Sequence, residues 1–90
     1  MKYKNMSADI KATGIHLKDI REAFGLTAST PAKKIDKHHN VILSIENGST
    51  DPSIMTMSDI LAALGIEFHE FFDERYDELL KEAIQKGFYE

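Results

Sequence analysis

Histidine, asparagine and serine crowd into one short stretch of this chain. His38-His39-Asn40 stand at its start, Ser44 follows, and Glu46-Asn47-Gly48 closes it. Such side chains can ligate a metal, run acid–base or nucleophilic chemistry, or exchange hydrogen bonds with a polar partner. The spacing argues against the first two. His38 and His39 are adjacent, so on a helix they point about 100° apart and share no metal. His16 and His69 lack an outstanding His or carboxylate partner at helical ligand spacing. There is no cysteine, which excludes a disulfide scaffold and a thiolate metal site. Ser, His and Asp all occur, but no motif places them as a triad. The acidic pairs of DERYDELLKE, residues 73–82, read as a solvated helix face. The expectation is a protein without metal or cofactor that is not an enzyme. Recognition by hydrogen bonding is the chemistry that remains.

The elements that must hold these residues are helices. Apolar residues make up 42% of the 90 and charged residues 29%, as in one soluble globular domain. No apolar run reaches the ~18 residues of a membrane span. The N-terminus MKYKNMSAD has no signal-like apolar stretch, so a cytoplasmic location is expected. Net charge is −4. Residues 1–50 carry +3, residues 51–66 carry −2 and residues 67–90 carry −5. A cationic front and an anionic tail are compatible with an anionic partner if the tail points away.

The periodicity predicts five helices and no strand. Ser7 caps the first, whose apolar face is Ile10, Leu17, Ile20 and Phe24, with Gly14 a soft point and Gly25 the stop. Pro31 would clash one turn inside a helix capped by Thr27. The second helix is therefore expected to start late, with Thr30 as cap and Pro31 first, and to run to about Lys37 with Ala32 and Ile35 inward. A third runs from about His39 to Asn47 with Ile42 and Ile45 inward, stopped by Gly48. Asp51-Pro52 makes a turn. Ser53 caps a fourth helix with Ile54, Met57, Ile60, Leu61 and Leu64 inward, ending at Gly65. Phe68, Phe71, Phe72, Tyr76, Leu79, Leu80, Ala83 and Ile84 form one stripe at helical spacing, read as one helix from about Phe68 to Lys86.

Two short helices joined by a tight turn describe a helix-turn-helix. The chain resembles the Cro/cI-type (Xre-like) helix-turn-helix DNA-binding family. The residues that carry the likeness are Leu17-Lys18, Ile20-Arg21-Glu22, Gly25-Leu26-Thr27, Ala32, Ile35, Ile42, Ile45-Glu46-Asn47-Gly48, Pro52-Ser53, Ala63-Leu64-Gly65 and Phe72. They align without a gap from Leu17 to Phe72. The resemblance implies an all-α, five-helix, lambda-repressor-like domain over residues 1–72. It implies an ion pair between Arg21 and Glu46 that pins the recognition helix. His39, Asn40, Leu43 and Ser44 match the base-reading positions. Ala28, Lys33, Lys34, Lys37, His38 and Asn47 match or lie near the positions facing the DNA backbone. Val41 or Leu43 would touch a thymine methyl.

The pattern departs from the family in the second helix and turn. Ala28 replaces the usual Gln, Pro31 a Leu, Asp36 a Gly, and Lys37 a buried Ile or Val. Asp36 tolerates the left-handed turn. The resulting expectation is a sequence-specific regulator of repressor type, from a phage, mobile element or toxin–antitoxin operon, which occupies double-stranded DNA. The alternative is a helix-turn-helix reused as a protein-binding adaptor or antagonist, through Val41, Leu43 and the acidic tail. Residues 73–90 form an amphipathic extension. Tyr76, Leu79, Leu80, Ala83 and Ile84 are expected to pair with a second copy in a homodimer. The other arrangement is a helix folded back on its own domain, under Met55 or Tyr3.

Overall fold

The first helix, α1 (Ala8–Ala23), begins where Ser7 Oγ accepts the Ile10 amide at 3.2 Å, filling one of the orphan donors of a helix start. It ends where Gly25 takes φ +72° and the Gly25 and Leu26 amides return to the carbonyls of Glu22 and Arg21. The computed structural model describes residues 7–88. Among these it contains α1, α2 (Ser29–Lys34), α3 (His39–Glu46), α4 (Ile54–Leu64), α5 (Phe68–Phe71) and α6 (Glu74–Gln85), and no strand. Among the described residues the fold is all-α, with six helices where five were expected.

α1 is the element on which the others hang, since it packs against both α3 and α6. Gly14 explains the first contact. A Cβ built there would lie 2.5 Å from the Ile45 carbonyl oxygen and 2.6 Å from that of Glu46. The expected soft point is in fact a close approach of α1 to the end of α3, which leaves room for hydrogen alone. Leu17, Ile42, Ile45, Ile60, Leu61 and Phe71 fill the core, each at most 1% exposed.

The second helix starts earlier than expected. Ser29 is its first residue, Ala28 precedes it in helical conformation, and no side chain caps it. Pro31 falls in the first turn, where its missing N–H would have had no intrahelical partner anyway. The Thr30 amide closes a tighter turn onto the Thr27 carbonyl at 3.2 Å. The helix also stops early, at Lys34. The Asp36 amide bonds the Lys33 carbonyl at 3.2 Å and the Lys37 amide reaches the Ala32 carbonyl at 2.9 Å, with Asp36 at φ +57°.

Ser53 Oγ accepts the Thr56 amide at 3.1 Å to start α4, and Gly65 at φ +78° ends it. Two side chains expected inside are outside. Phe24, the residue just past α1, is 52% exposed, and Ile54, in the first turn of α4, is 75% exposed beside Met55 at 73%.

The single helix expected from Phe68 to Lys86 is two. Glu67 and Glu70 form a capping box around α5. Asp73 then starts α6 by accepting the Tyr76 amide at 3.0 Å. The break turns α6 back along α1. Tyr76, Leu79 and Ala83 are thereby buried within the chain, and Leu80 packs partly against the same core. These side chains, expected at a seam between two copies, are covered by their own domain; Ile84 remains 47% exposed. Met55, expected over α6, is 73% exposed, and Tyr3 lies outside the described residues. Polar contacts run along the α1–α6 seam. Tyr76 Oη donates to Asp9 at 3.3 Å, Arg75 stands 3.9 Å from Asp19, and His16 Nε2 lies 3.2 Å from Asp73. His16 is buried, with its ring centroid 4.6 Å from that of Phe71. The Tyr76 amide first, and His16 after it, hold the Asp73 carboxyl below the usual range.

Candidate nucleic-acid interface

α3 is eight residues long, too short to persist by itself in water. Packing and polar ties must therefore set its position. Ile42 and Ile45 bury one face completely. At its C-terminal end, Glu46 takes a two-pronged bond from Arg21: Nε to Oε2 at 2.7 Å and Nη2 to Oε1 at 2.9 Å. The third prong, Nη1, donates to the Leu26 carbonyl at 2.6 Å. One guanidinium thus joins α1, the loop after it and α3. The hydrogen bond donated to Glu46 raises the Arg21 pKa, against the opposing effect of burial.

The start of α3 is held by His38, whose Nδ1 accepts the Asn40 amide at 3.2 Å. The sequence reading placed His38 near phosphate and missed this cap, because histidine is not among the usual capping residues. Ahead of it, the tight turn closes through backbone. Lys37 is exposed rather than buried, Asp36 supplies the left-handed residue, and Pro31 is itself buried, so the α2–α3 packing survives all three departures.

The outward row of α3 carries His39, Asn40 and Leu43, with Leu43 40% exposed. Ser44 is half-buried. Its hydroxyl donates to the Val41 carbonyl at 3.3 Å and shares a 2.8 Å bond with Thr50, so it is less free than its neighbours. Val41 is also half-buried against the core, which removes it from the exposed apolar face expected of it. Asn47 accepts the Ser49 amide through Oδ1 at 2.9 Å, leaving its NH₂ to donate outward.

Lys33 and Lys37 are exposed on α2 and in the turn. Lys34 behaves differently. Its Nζ donates to the Ala63 carbonyl at 3.3 Å, near the C-terminal end of α4, where a cation is favoured by the helix dipole. Ala28, expected toward the backbone of a nucleic acid, is 8% exposed and belongs to the core. It presents no side chain to a partner.

Two residues of this surface were missed from sequence. Lys18 borders a depression of about 510 Å³ together with Leu43 and Asn47, and Arg21 and Glu46 also line it. Its signal was its place one turn before Arg21 on α1. Thr50 reaches Ser44 across the Gly48 turn, and no local pattern marks it. The arrangement is a short rigid helix with donors and acceptors on its outer row, flanked by exposed lysines. It has the form needed to place side chains against base edges while cations meet phosphates.

Comparison with known proteins agrees with this geometry. The family described as Helix-turn-helix matches residues 17–71. The HTH-type transcriptional regulator PuuR of Escherichia coli (strain K12) and that of Shigella flexneri are each 33% identical to the chain over 69 residues, covering 77% of this chain and 37% of theirs. The chain thus spans just over a third of the length of these curated relatives. No solved structure matches it. A profile match over more than half the chain, on a fold that has the α2–turn–α3 unit in place, shows that this protein belongs to the Cro/cI-type helix-turn-helix family.

Proposed function

We propose that this chain is a DNA-binding transcriptional regulator of repressor type, acting by occupancy of an operator in a phage, mobile-element or toxin–antitoxin setting. The observation that carries the DNA reading is the division of labour on α3. Its inner face is locked by Ile42, Ile45 and the Arg21–Glu46 pair, while His39, Asn40 and Leu43 stand outward. Asn40 is suited to adenine, which both accepts and donates in the major groove. Lys18, Lys33 and Lys37 supply salt-sensitive affinity for phosphate. The acidic residues of α6 stand exposed on a helix that packs along α1, outside the α2–turn–α3 unit. The relatives named above as transcriptional regulators support the assignment.

The test is a mobility shift on the DNA upstream of the protein's own gene, at two salt concentrations, with an inverted repeat sought in the bound fragment. Specific binding that weakens steeply with salt is expected. Equal, salt-insensitive failure on all fragments would reject the reading.

A protein-binding reading draws on another surface. Asp9, Ile10, Asp51, Ile54, Phe68 and Phe72 are among the residues lining a groove of about 440 Å³. Its exposed apolar side chains favour a protein contact there, distinct from the Val41 and Leu43 face first considered.

A further inference from the structure

His38 holds the first turn of α3 by a bond that a proton can break. Its backbone is extended, at φ −76° and ψ 147°, and Nδ1 accepts the Asn40 amide at 3.2 Å. An accepting Nδ1 carries no hydrogen, so the neutral ring has its proton on Nε2. The ring also stacks on His39, with centroids 4.3 Å apart and planes inclined at 32°. The cap therefore fixes the two residues that follow it, Asn40 through its amide and His39 through its ring.

We infer that His38 is a positioning residue for DNA recognition, which orders the start of α3 only while its Nδ1 is unprotonated. The inference rests on the DNA-binding reading above. Imidazolium has N–H on both nitrogens and no acceptor, so protonation leaves the Asn40 amide without this partner. It also places a cation at the positive end of a helix, where the dipole disfavours it. A Ser, Thr or Asn cap gives the same bond and has no ring to protonate. The charged groups of α2 and the turn near His38 are Lys33, Lys34, Asp36 and Lys37, with His39 beside it, and α1 brings Lys18, Arg21 and Glu22 to the other end of α3, at Leu43, Glu46 and Asn47. None of them forms an ion pair with His38 among the described residues.

The experiment compares the full chain with His38→Asn, which keeps an acceptor that does not titrate, and His38→Ala, which has none. The probe is a duplex selected by the wild-type chain from a random-sequence pool, with affinity read by fluorescence anisotropy at fixed salt. Near pH 8 the wild type and His38→Asn should bind within about twofold of each other and His38→Ala about fivefold more weakly, the size of a lost cap. At a pH low enough to protonate the ring, His38→Asn should bind about fivefold more tightly than the wild type. Titrating groups away from His38 cancel in that ratio. A ratio that stays level, or that moves in favour of the wild type because phosphate attracts the imidazolium, overturns the inference. So does a His38→Ala affinity equal to that of His38→Asn near pH 8. A second readout needs no DNA. In the wild type the Asn40 amide resonance should follow the His38 ring through its titration, and in His38→Asn it should not move. An Asn40 amide indifferent to the ring refutes the cap. An amide that follows the ring in a chain that binds no duplex at either pH refutes the DNA reading, and the role in recognition with it.

Discussion

Replacing Glu46 with Ala tests the frame that holds the recognition helix. Glu46 and Arg21 have side chains only 3% and 9% exposed. Of the three hydrogen bonds made by the guanidinium, two go to Glu46 and would vanish. Arg21 would keep the Leu26 carbonyl alone, as a buried cation without its carboxylate. Losing one partner of a buried pair costs about 3 kcal/mol. For a domain of this size that lowers Tm by roughly 10–20 °C. The control is the double replacement Arg21→Met with Glu46→Leu. It removes both charges and leaves apolar volume, so it should cost less than Glu46→Ala by itself. Urea and thermal unfolding, followed by helical circular dichroism, measure all three chains. The sign of the pH dependence follows from Arg21. Its folded pKa is raised above the ordinary arginine value by the hydrogen bond to Glu46, so its contribution is fully present below the unfolded value and is lost only as pH rises through the folded one. The difference between wild type and Glu46→Ala should therefore change little between about pH 6 and pH 9. A cost below about 1 kcal/mol for Glu46→Ala, or a double replacement at least as costly as Glu46→Ala, would refute the reasoning.

Gly14→Ala should destabilise by about 1–3 kcal/mol in urea unfolding, because its methyl would meet two backbone carbonyls rather than a yielding side chain. Leu79→Ala should cost about 2–5 kcal/mol by the same assay, since Leu79 is only 4% exposed within its own chain; a cost near zero would show that α6 does not depend on α1. Asp73→Asn keeps a capping side chain but loses the titration. The Asp73 carboxyl lies below its ordinary value of 3.8, so its contribution is present above that value and lost as pH falls through the folded one; acid unfolding of the variant should be shallower below about pH 4. Asn40→Ala should cost about 1–3 kcal/mol at one base pair in a selection of bound sequences, whereas Lys33→Ala and Lys37→Ala should weaken all sequences alike and flatten the salt dependence.

Much of this fold is written in its punctuation. Ser7, Ser53, Gly25, Gly48 and Gly65 mark helix ends through caps that act within a few residues, and the ends stand where those residues are. The errors come from positions where two local rules compete. Asp73 is a strong cap inside an unbroken apolar stripe, and the cap wins because Phe71 and Leu79 must reach the core from different helices. Pro31 suits the first helical position, yet two residues can precede it inside a first turn that needs no intrahelical N–H bonds. Gly14 has no local signature, because what forbids a side chain there is a carbonyl thirty-one residues away. The surface was legible in its outward row and less so in its reach. Ala28 lies in the core, Lys34 turns to α4, and Lys18 and Thr50 arrive from outside the two-helix unit.

The separation of frame from face has a consequence for how such a chain can vary. α3 is fixed at three places by three different means: the His38 cap at its start, Ile42 and Ile45 along its buried side, and Gly14 with the Arg21–Glu46 pair near its end. None of these uses the side chains of His39, Asn40 or Leu43 as a hydrogen-bonding or core partner. Changes at those three positions therefore alter what α3 presents to a partner with little effect on where it stands. Changes in the frame do the reverse and act on every partner alike. The family departures obey the same division. Pro31, Asp36 and Lys37 alter how the turn is built, yet the backbone bonds from Asp36 and Lys37 into α2 close it with the geometry α3 needs. A turn closed by backbone asks little of its side chains, which is why it accepts an exposed lysine where the family usually buries an aliphatic one.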